Sequence, residues 1–496
     1  MKKGGSTALA AGLLILMILF GNALTLPFRV AGFGVNMYIV SMALFAVVLF
    51  GLRIKEGRLR EKEDRGVMFL YGFTLLWLAA GIVLLLWHRT AVSEGLRQLI
   101  QIALGAASAF SLIECLHRGL DKEMIYFWIR IAVLIYIIIA MFEIAGGVHL
   151  HTSHFSDPML YRLDWSLLRP TNYLATATYF NENDLCACLA VLTPFCFPQK
   201  SYSWKKNLGL SFLIMMVILI EIHDDAWICF LGLTAAALIY MIVTRPKLPI
   251  AAASVVSYYA VYRWGRTVLH AVIVFFYELL GKEVPPGLHR SFGFVMRVVS
   301  KASEEAAKTV DNRGTITYRV ETYKEAFFGF FESHGLGLGP YGVDHHLQTA
   351  GRPYTVGSPH SFWLELLCNY GVIIFLLFAA LCIFFIVRLI KNYKETKDPM
   401  YLILICADIS LAMACNSPSR FVEMPYYWIL LALTAYYCQK PPAEADAAAG
   451  FEAAATAEKA PDEAATTAET GGAEDDAPET LFSPEQESSL DGGKHE

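Results

Sequence analysis

Residues 67–87, VMFLYGFTLLWLAAGIVLLLW, run for 21 positions without a charged side chain. As an α-helix rising ~1.5 Å per residue, such a run is about 30 Å long, the thickness of a bilayer's hydrocarbon core. Reading outward from it, residues 8–26 and 31–52 are similar apolar runs upstream. Downstream come 96–116, 124–145, 185–197, 208–222, 226–243, 248–262, 371–390, 400–414 and 424–438. The pattern predicts an all-α polytopic membrane protein of about twelve transmembrane helices. Several of these cores hold only about fourteen residues, so their helices are expected to extend into polar flanks or tilt within the bundle. Of 496 residues, 56% are hydrophobic and 17% charged, too little charge for a soluble multidomain enzyme. No collagen or coiled-coil period, cysteine framework or basic domain points to a fibrous, disulfide-scaffold or nucleic-acid-binding class.

The formal charge of −5 conceals two different segments. Residues 441–496 carry fifteen acidic side chains against Lys459 and Lys494, leaving the body 1–440 net positive. That tail is rich in Ala, Glu, Asp, Gly and Thr, cannot bury enough apolar surface to offset its ordering entropy, and is expected to be a disordered cytoplasmic extension without a catalytic role. The ten cysteines lie in or beside apolar runs and read as small buried hydrophobes, not disulfides. Lys2 and Lys3 before the first run imitate a secretory signal, but the run is too long and lacks a small-residue cleavage site, so it is read as an uncleaved first helix.

Lysine and arginine alternate between the short loops. One set of loops holds twenty, including Arg53, Lys55, Arg118, Lys205, Lys206, Arg245, Lys391 and Lys394; the other holds six, Arg29, Arg89, Arg97, Arg162, Arg169 and Arg420. By the positive-inside rule both termini face the cytoplasm, consistent with an even number of spans in the cytoplasmic (inner) membrane. Two long segments then lie outside, 146–184 and 263–370, and polar loops of that size on a helical bundle commonly carry function. Within the second, residues 268–280 (VLHAVIVFFYELL) are expected to lie in the interface. Arg130 is expected to snorkel to the cytoplasmic face and Arg97 to anchor at the outer interface.

The second outer segment ends in a dense polar cluster: Arg313, Arg319, the run His334-Gly335-Leu336-Gly337-Leu338-Gly339-Pro340, Asp344-His345-His346, Arg352 and Ser358-Pro359-His360-Ser361. Arginines beside a histidine at the outer mouth of a bundle suit an anionic substrate handled at the membrane surface. No strand or βαβ unit surrounds the glycine run, so it reads as a tight turn and not a dinucleotide fingerprint. His149, His151 and His154 form an H-x-H-x-x-H run that no cysteine or well-spaced carboxylate completes, so they read as loop histidines and no metal site is assigned. Aromatic residues of the loop, Tyr341, Tyr354, Trp363 and Tyr370, suit either sugar stacking or an interfacial belt.

Thr317-Tyr318-Arg319 with Tyr323-Lys324-Glu325-Ala326, then Gly337-Leu338-Gly339-Pro340, then His360-Ser361 followed after nine residues by Gly371, resembles the O-antigen ligase and O-antigen polymerase superfamily, which includes teichuronic-acid-type wall polysaccharide polymerases. Upstream, Arg169-Pro170-Thr171 and Asn181-Glu182-Asn183-Asp184 look like two further motifs of that superfamily. The chain departs from the pattern at Ile374, where a glycine is usual, at Glu182, where proline is usual, and at Asp224 in His223-Asp224-Asp225-Ala226-Trp227, where an arginine is usual.

The resemblance implies transfer of a glycan from a polyprenyl-diphosphate-linked donor to a sugar or lipid hydroxyl outside the membrane, with inversion and without a metal or other cofactor. Such a reaction must remove a proton from the acceptor oxygen and meet the charge developing on the diphosphate. By resemblance, His360 serves the first demand and Arg319 the second, with Arg169, Arg313, Arg352, Glu365 and Asp224 as candidate substrate-binding positions. A carboxylate at Asp224 would repel what a guanidinium binds, so Arg169, Arg313 and Arg352 are candidates to replace that arginine. Without the resemblance, His360 would be read as stabilising the start of the next helix and Arg319 as a solvated charge on an amphipathic one. The expected partners are the lipid-linked donor, the acceptor, membrane lipids and envelope-assembly proteins, with no nucleic acid. The rival class is a membrane transporter or lipid-linked oligosaccharide flippase, which should carry paired charges or broken helices at the bilayer midplane.

Overall fold

The computed structural model describes residues 3–24, 27–30, 33–57, 65–118, 120–157, 172–285, 288, 315–350, 357–418 and 420–439. The acidic tail lies outside these residues, as do Arg169, Arg313 and Arg352. The described chain is helical almost throughout. Helix α1 (Lys3–Leu24) is followed by an antiparallel hairpin, β1 (Pro27–Val30) and β2 (Phe33–Asn36), with Pro27 opposite Asn36 and Val30 opposite Phe33. The span expected to start at residue 31 therefore starts later. Val30, Phe33 and Val35 favour extended backbone and Gly34 disfavours helix by about 1 kcal/mol, so α2 (Met37–Lys55) starts only after them.

Helices α3 (Arg65–His88), α4 (Val92–His117) and α5 (Lys122–Gly146) follow. Helix α6 (Glu182–Leu192) is short and tightens into a 3-10 turn, Thr193–Cys196, where Pro194 lacks the N–H that would continue it. Arg130 does more here than reach for the membrane surface: its Nε donates to the Phe195 carbonyl at 2.9 Å, and its guanidinium lies 5.0 Å from the ring centres of both Tyr126 and Tyr202.

Helices α7 (Trp204–His223) and α8 (Trp227–Thr244) precede α9 (Leu248–Ala260), which runs through a π turn, Val261–Gly265, directly into α10 (Arg266–Leu279). Residue 263 was expected to open a long loop; the chain instead stays helical through Leu279, because no proline interrupts this stretch and the π turn absorbs Gly265 without a break. Helices α11 (Thr315–Glu332) and α12 (Gly342–Thr349) lead to α13 (Phe362–Thr396), α14 (Pro399–Ala414) and α15 (Pro425–Tyr437). Helix α13 starts nine residues before the apolar run that announced it.

Six described helices, α3, α4, α5, α7, α8 and α13, are long and apolar enough to cross a bilayer. Their outward faces carry large apolar side chains, with Leu75 at 68%, Trp87 at 78% and Ile242 at 70% exposure. In water such a surface would aggregate; in lipid it is the required exterior. The polypeptide is a multi-pass membrane protein. Its interior is built around α14, which packs on α6, α8 and α13, and α15, which packs on α3 and α4. Phe362, Phe378, Phe421 and Tyr427 interlock there with ring centres 5.1–6.4 Å apart.

Helix α13 is broken at Gly371 (φ 81°, ψ 173°). The break frees the carbonyls of Cys368 and Asn369, which accept from Leu338 N–H at 2.8 Å and Gly339 N–H at 2.9 Å, while Val372 N–H donates to the Gly335 carbonyl at 3.0 Å. The glycine run is therefore a plug that supplies the hydrogen bonds the broken helix lacks, as a polar backbone buried in the bundle requires. Gly335, Gly337 and Gly339 all have positive φ, and a Cβ on Gly337 would meet the Asn369 carbonyl oxygen at 2.6 Å. Gly337→Ala is expected to destabilise the protein by about 1–3 kcal/mol, the cost of forcing a side chain into a strained left-handed position. Gly51→Ala, where nothing lies within 4 Å of the added carbon, is the neutral comparison. Thermal unfolding in detergent measures both, and equal midpoints for the two variants would contradict the plug.

Candidate active site

Three residues prevent α13 from starting earlier. Pro359 disfavours helical backbone at Ser358, His360 takes a left-handed conformation (φ 49°), and Ser361 is extended (φ −154°). Ser361 Oγ donates to Asn416 Oδ1 at 2.7 Å and Phe362 N–H donates to the Cys415 carbonyl at 3.0 Å, joining this start to the turn after α14. Arg319, on α11, donates Nη1 to the Asn416 carbonyl at 2.9 Å. The Ser417 hydroxyl donates to Asn183 Oδ1 at 2.8 Å, bringing in the first turn of α6, which Asn181 caps by accepting Asp184 N–H at 3.0 Å. Three pieces of sequence separated by up to 180 positions thus meet on one turn, Asn416–Ser417, whose importance no motif announced.

His360 lies in the electrostatic reach of Arg319 and against the backbone of Ser417. Burial and the Arg319 charge both disfavour the imidazolium and hold the pKa below the ordinary histidine value, with the hydrogen bond to Ser417 backbone opposing them. These effects favour the neutral imidazole, the form that can accept a proton. Its Nδ1 is buried and has no hydrogen-bond partner among the described residues.

Glu365, in the first turn of α13, does not cap its own helix. Its Oε1 accepts the Arg420 backbone N–H at 3.0 Å and the Ser358 hydroxyl at 3.4 Å, bracing the loop that carries His360. Arg420 in turn places its Nε 3.5 Å from Asp344 Oδ2 and donates Nη2 to the Tyr341 hydroxyl at 3.2 Å. Asp344 is buried on α12, and that burial raises its carboxyl pKa against the lowering effect of Arg420.

Asp224 occupies the turn after α7 with a fully buried carboxylate that accepts the Ala175 N–H at 3.2 Å. Burial drives its pKa well above the ordinary aspartate value. Its partners here belong to the fold: it ties residues 172–181 to the end of α7, as Glu143 does from α5 by accepting the N–H groups of Thr176 and Ala177 at 2.6 and 2.7 Å. A guanidinium does stand beside this turn, that of Arg266, 3.3 Å from Asp225 Oδ1. The loop histidines turn to separate partners, His149 to Thr176 and Asn172 and His154 to the Phe180 carbonyl, and no metal-binding group of three ligands occurs among the described residues.

The architecture defines a multi-pass helical membrane protein with a polar, arginine- and histidine-bearing cluster beside a plugged helix break. No protein-family model matches the chain. The chain is 23% identical over 423 residues to the teichuronic acid biosynthesis protein TuaE of Bacillus subtilis (strain 168), a match covering 81% of this chain and 80% of that protein. That similarity extends through most of the helical body and bears out the resemblance to the wall polysaccharide polymerase and ligase type read from the motifs.

Because His360 is held neutral, the acid limb of any reaction that needs it as a base falls below the ordinary histidine pKa of about 6.5. A pH–rate profile of kcat/KM measures this. An acid limb above that value would contradict the burial and charge described for His360.

Proposed function

We propose that the protein is an enzyme of cell-wall or envelope polysaccharide assembly that transfers a glycan from a polyprenyl-diphosphate-linked donor to a sugar or lipid hydroxyl at the outer face of the cytoplasmic membrane. The observation that carries this reading is the convergence of His360 and Arg319 on the Asn416–Ser417 turn, a neutral base and a permanent cation on one support. The similarity to a teichuronic acid biosynthesis protein supports the substrate class. In this reading the chain crosses the membrane about twelve times with both termini inside, and the cluster around His360 lies outside.

The chemistry follows from the two groups. His360 takes the proton from the acceptor hydroxyl as its oxygen forms the new bond to the anomeric carbon. The bond from that carbon to the diphosphate breaks on the opposite face, which inverts the configuration. The departing electron pair adds negative charge to the diphosphate, and Arg319 meets it with paired donors. No metal is needed for either task.

A flippase is the second reading, and two observations favour it: the broken helix at Gly371 and the half-buried Asp408 on α14, which accepts from the Thr434 hydroxyl at 3.3 Å. A flippase would move lipid-linked glycan without changing its length, so product analysis separates the two.

His360→Ala and Arg319→Ala are each expected to lower transfer by roughly 100-fold or more, the scale of general-base and oxyanion-type effects. Arg319→Lys should recover only part, because an ammonium lacks the planar two-point contact. Transfer from a purified lipid-linked donor, with chelator present, is the assay; full activity in His360→Ala or strict metal dependence would contradict the mechanism. A cysteine at Ser358 should react with an impermeant reagent in intact cells while one at Lys205 should not, and the reverse would overturn the orientation.

A further inference from the structure

We propose that Arg420, together with Arg97, which lies 3.9 Å from Glu423, is a second oxyanion-binding element of this site, taking either the diphosphate of the lipid donor or the carboxylate of a uronic-acid sugar. The inference rests on the glycan-transfer reading and adds a substrate contact to it. Arg420 is held from three sides: its backbone N–H by Glu365, its Nε by Asp344, and its Nη2 by the Tyr341 hydroxyl, with the guanidinium 5.0 Å from the centre of the Tyr341 ring. Among the described residues its Nη1 edge has no hydrogen-bond partner. A guanidinium braced on one edge and open on the other is prepared to meet a planar oxyanion.

Arg420 is also left-handed (φ 54°), a conformation that costs about 1 kcal/mol or more at a non-glycine residue and collects at functional sites. It sits four residues beyond Asn416, so the short segment that receives Arg319 at one end presents Arg420 at the other, with His360 against Ser417 between them.

The carboxylates nearby raise an objection, since Asp344, Glu365 and Glu423 could repel an anion. Their burial answers it. Arg420 is 36% exposed against 5% for Asp344, and Arg97 is 62% exposed against 20% for Glu423, 3.9 Å away. In both ion pairs the guanidinium is the more exposed partner and the carboxylate the more buried one. Burial also raises the carboxyl pKa of Glu423, against Arg97 and Arg420. Glu94 is the exposed acid of this face, within electrostatic reach of His345 and Arg420.

The test uses the purified full-length protein in lipid nanodiscs with two probes, undecaprenyl diphosphate and a glucuronate-containing disaccharide. R420Q is expected to raise the Kd of one of them by about tenfold or more, the worth of a charge-assisted hydrogen bond, with R420K intermediate. A change confined to undecaprenyl diphosphate identifies the lipid's diphosphate as the oxyanion; a change confined to the disaccharide identifies the sugar carboxylate. R97Q should weaken the same probe by roughly threefold at low salt, an effect that fades as salt screens the exposed charge. A folded R420Q with both affinities unchanged overturns the proposal. If R420Q does not fold, R97Q decides, and unchanged affinity at low salt overturns it. Wild-type protein that binds neither probe would overturn the glycan-transfer reading itself.

Discussion

A helix broken inside a membrane bundle exposes carbonyls that no water reaches, and something must supply their hydrogen bonds. In this protein the supplier is the glycine run 335–339, which closes the break at Gly371 with three backbone hydrogen bonds. Much of the architecture around the candidate site depends on that closure. Pro340 and Tyr341 follow the plug directly, and Tyr341 N–H donates to Gln98 on α4 at 2.6 Å, so the plug also fixes the turn that leads into α12. Asn369, whose carbonyl accepts from Gly339, also receives Val343 N–H on its side chain at 2.8 Å. Asp344, the next residue along, reaches Arg420. The break, the plug and the brace under Arg420 are therefore one continuous structure.

That continuity gives the proposed chemistry its rigidity. His360 and Arg319 do not touch each other through their own side-chain hydrogen bonds; they are aligned because both attach to the turn between α14 and α15. The turn in turn is pinned by Asn183 from α6 and by Glu365 from α13. A site assembled from four segments on helices packed in lipid holds its groups in fixed positions, which electrostatic stabilisation of a leaving group requires. The polar atoms beneath the site fit the same scheme: Glu143 and Asp224 use their carboxylates on backbone N–H groups of residues 172–181, the irregular stretch that would otherwise leave donors unpaired in the bundle.

Most of the helices were legible from length and apolarity alone, since a bilayer admits few alternatives. The errors fell where hydropathy carries no information. The hairpin at 27–36 depends on local strand preference, the extension of α9 into α10 depends on a π turn, and α13 begins in residues 362–370, where Glu365 and Asn369 interrupt the apolar run. The spacing of His360, Arg319 and Glu365 with the glycine run singled them out, and the structure brings all three to the turn between α14 and α15. Asn416, Ser417 and Arg420 were not, because their roles arise from backbone geometry far along the chain. Asp224 was legible as a departure but not as a fold-holding carboxylate, since its partner is the backbone of Ala175. The glycine run was read as a turn; that it mends a helix could be recognised only once Gly371 was seen to break one.

The most direct test of the account is where a lipid-linked diphosphate binds. A structure of the full-length protein with undecaprenyl diphosphate in nanodiscs should have the phosphorus atoms beside the Asn416–Arg420 segment, within reach of Arg319 and with His360 facing the anomeric position of a longer donor. Phosphorus density at the opposite end of the helices, or beside Asp408 on α14, would contradict it.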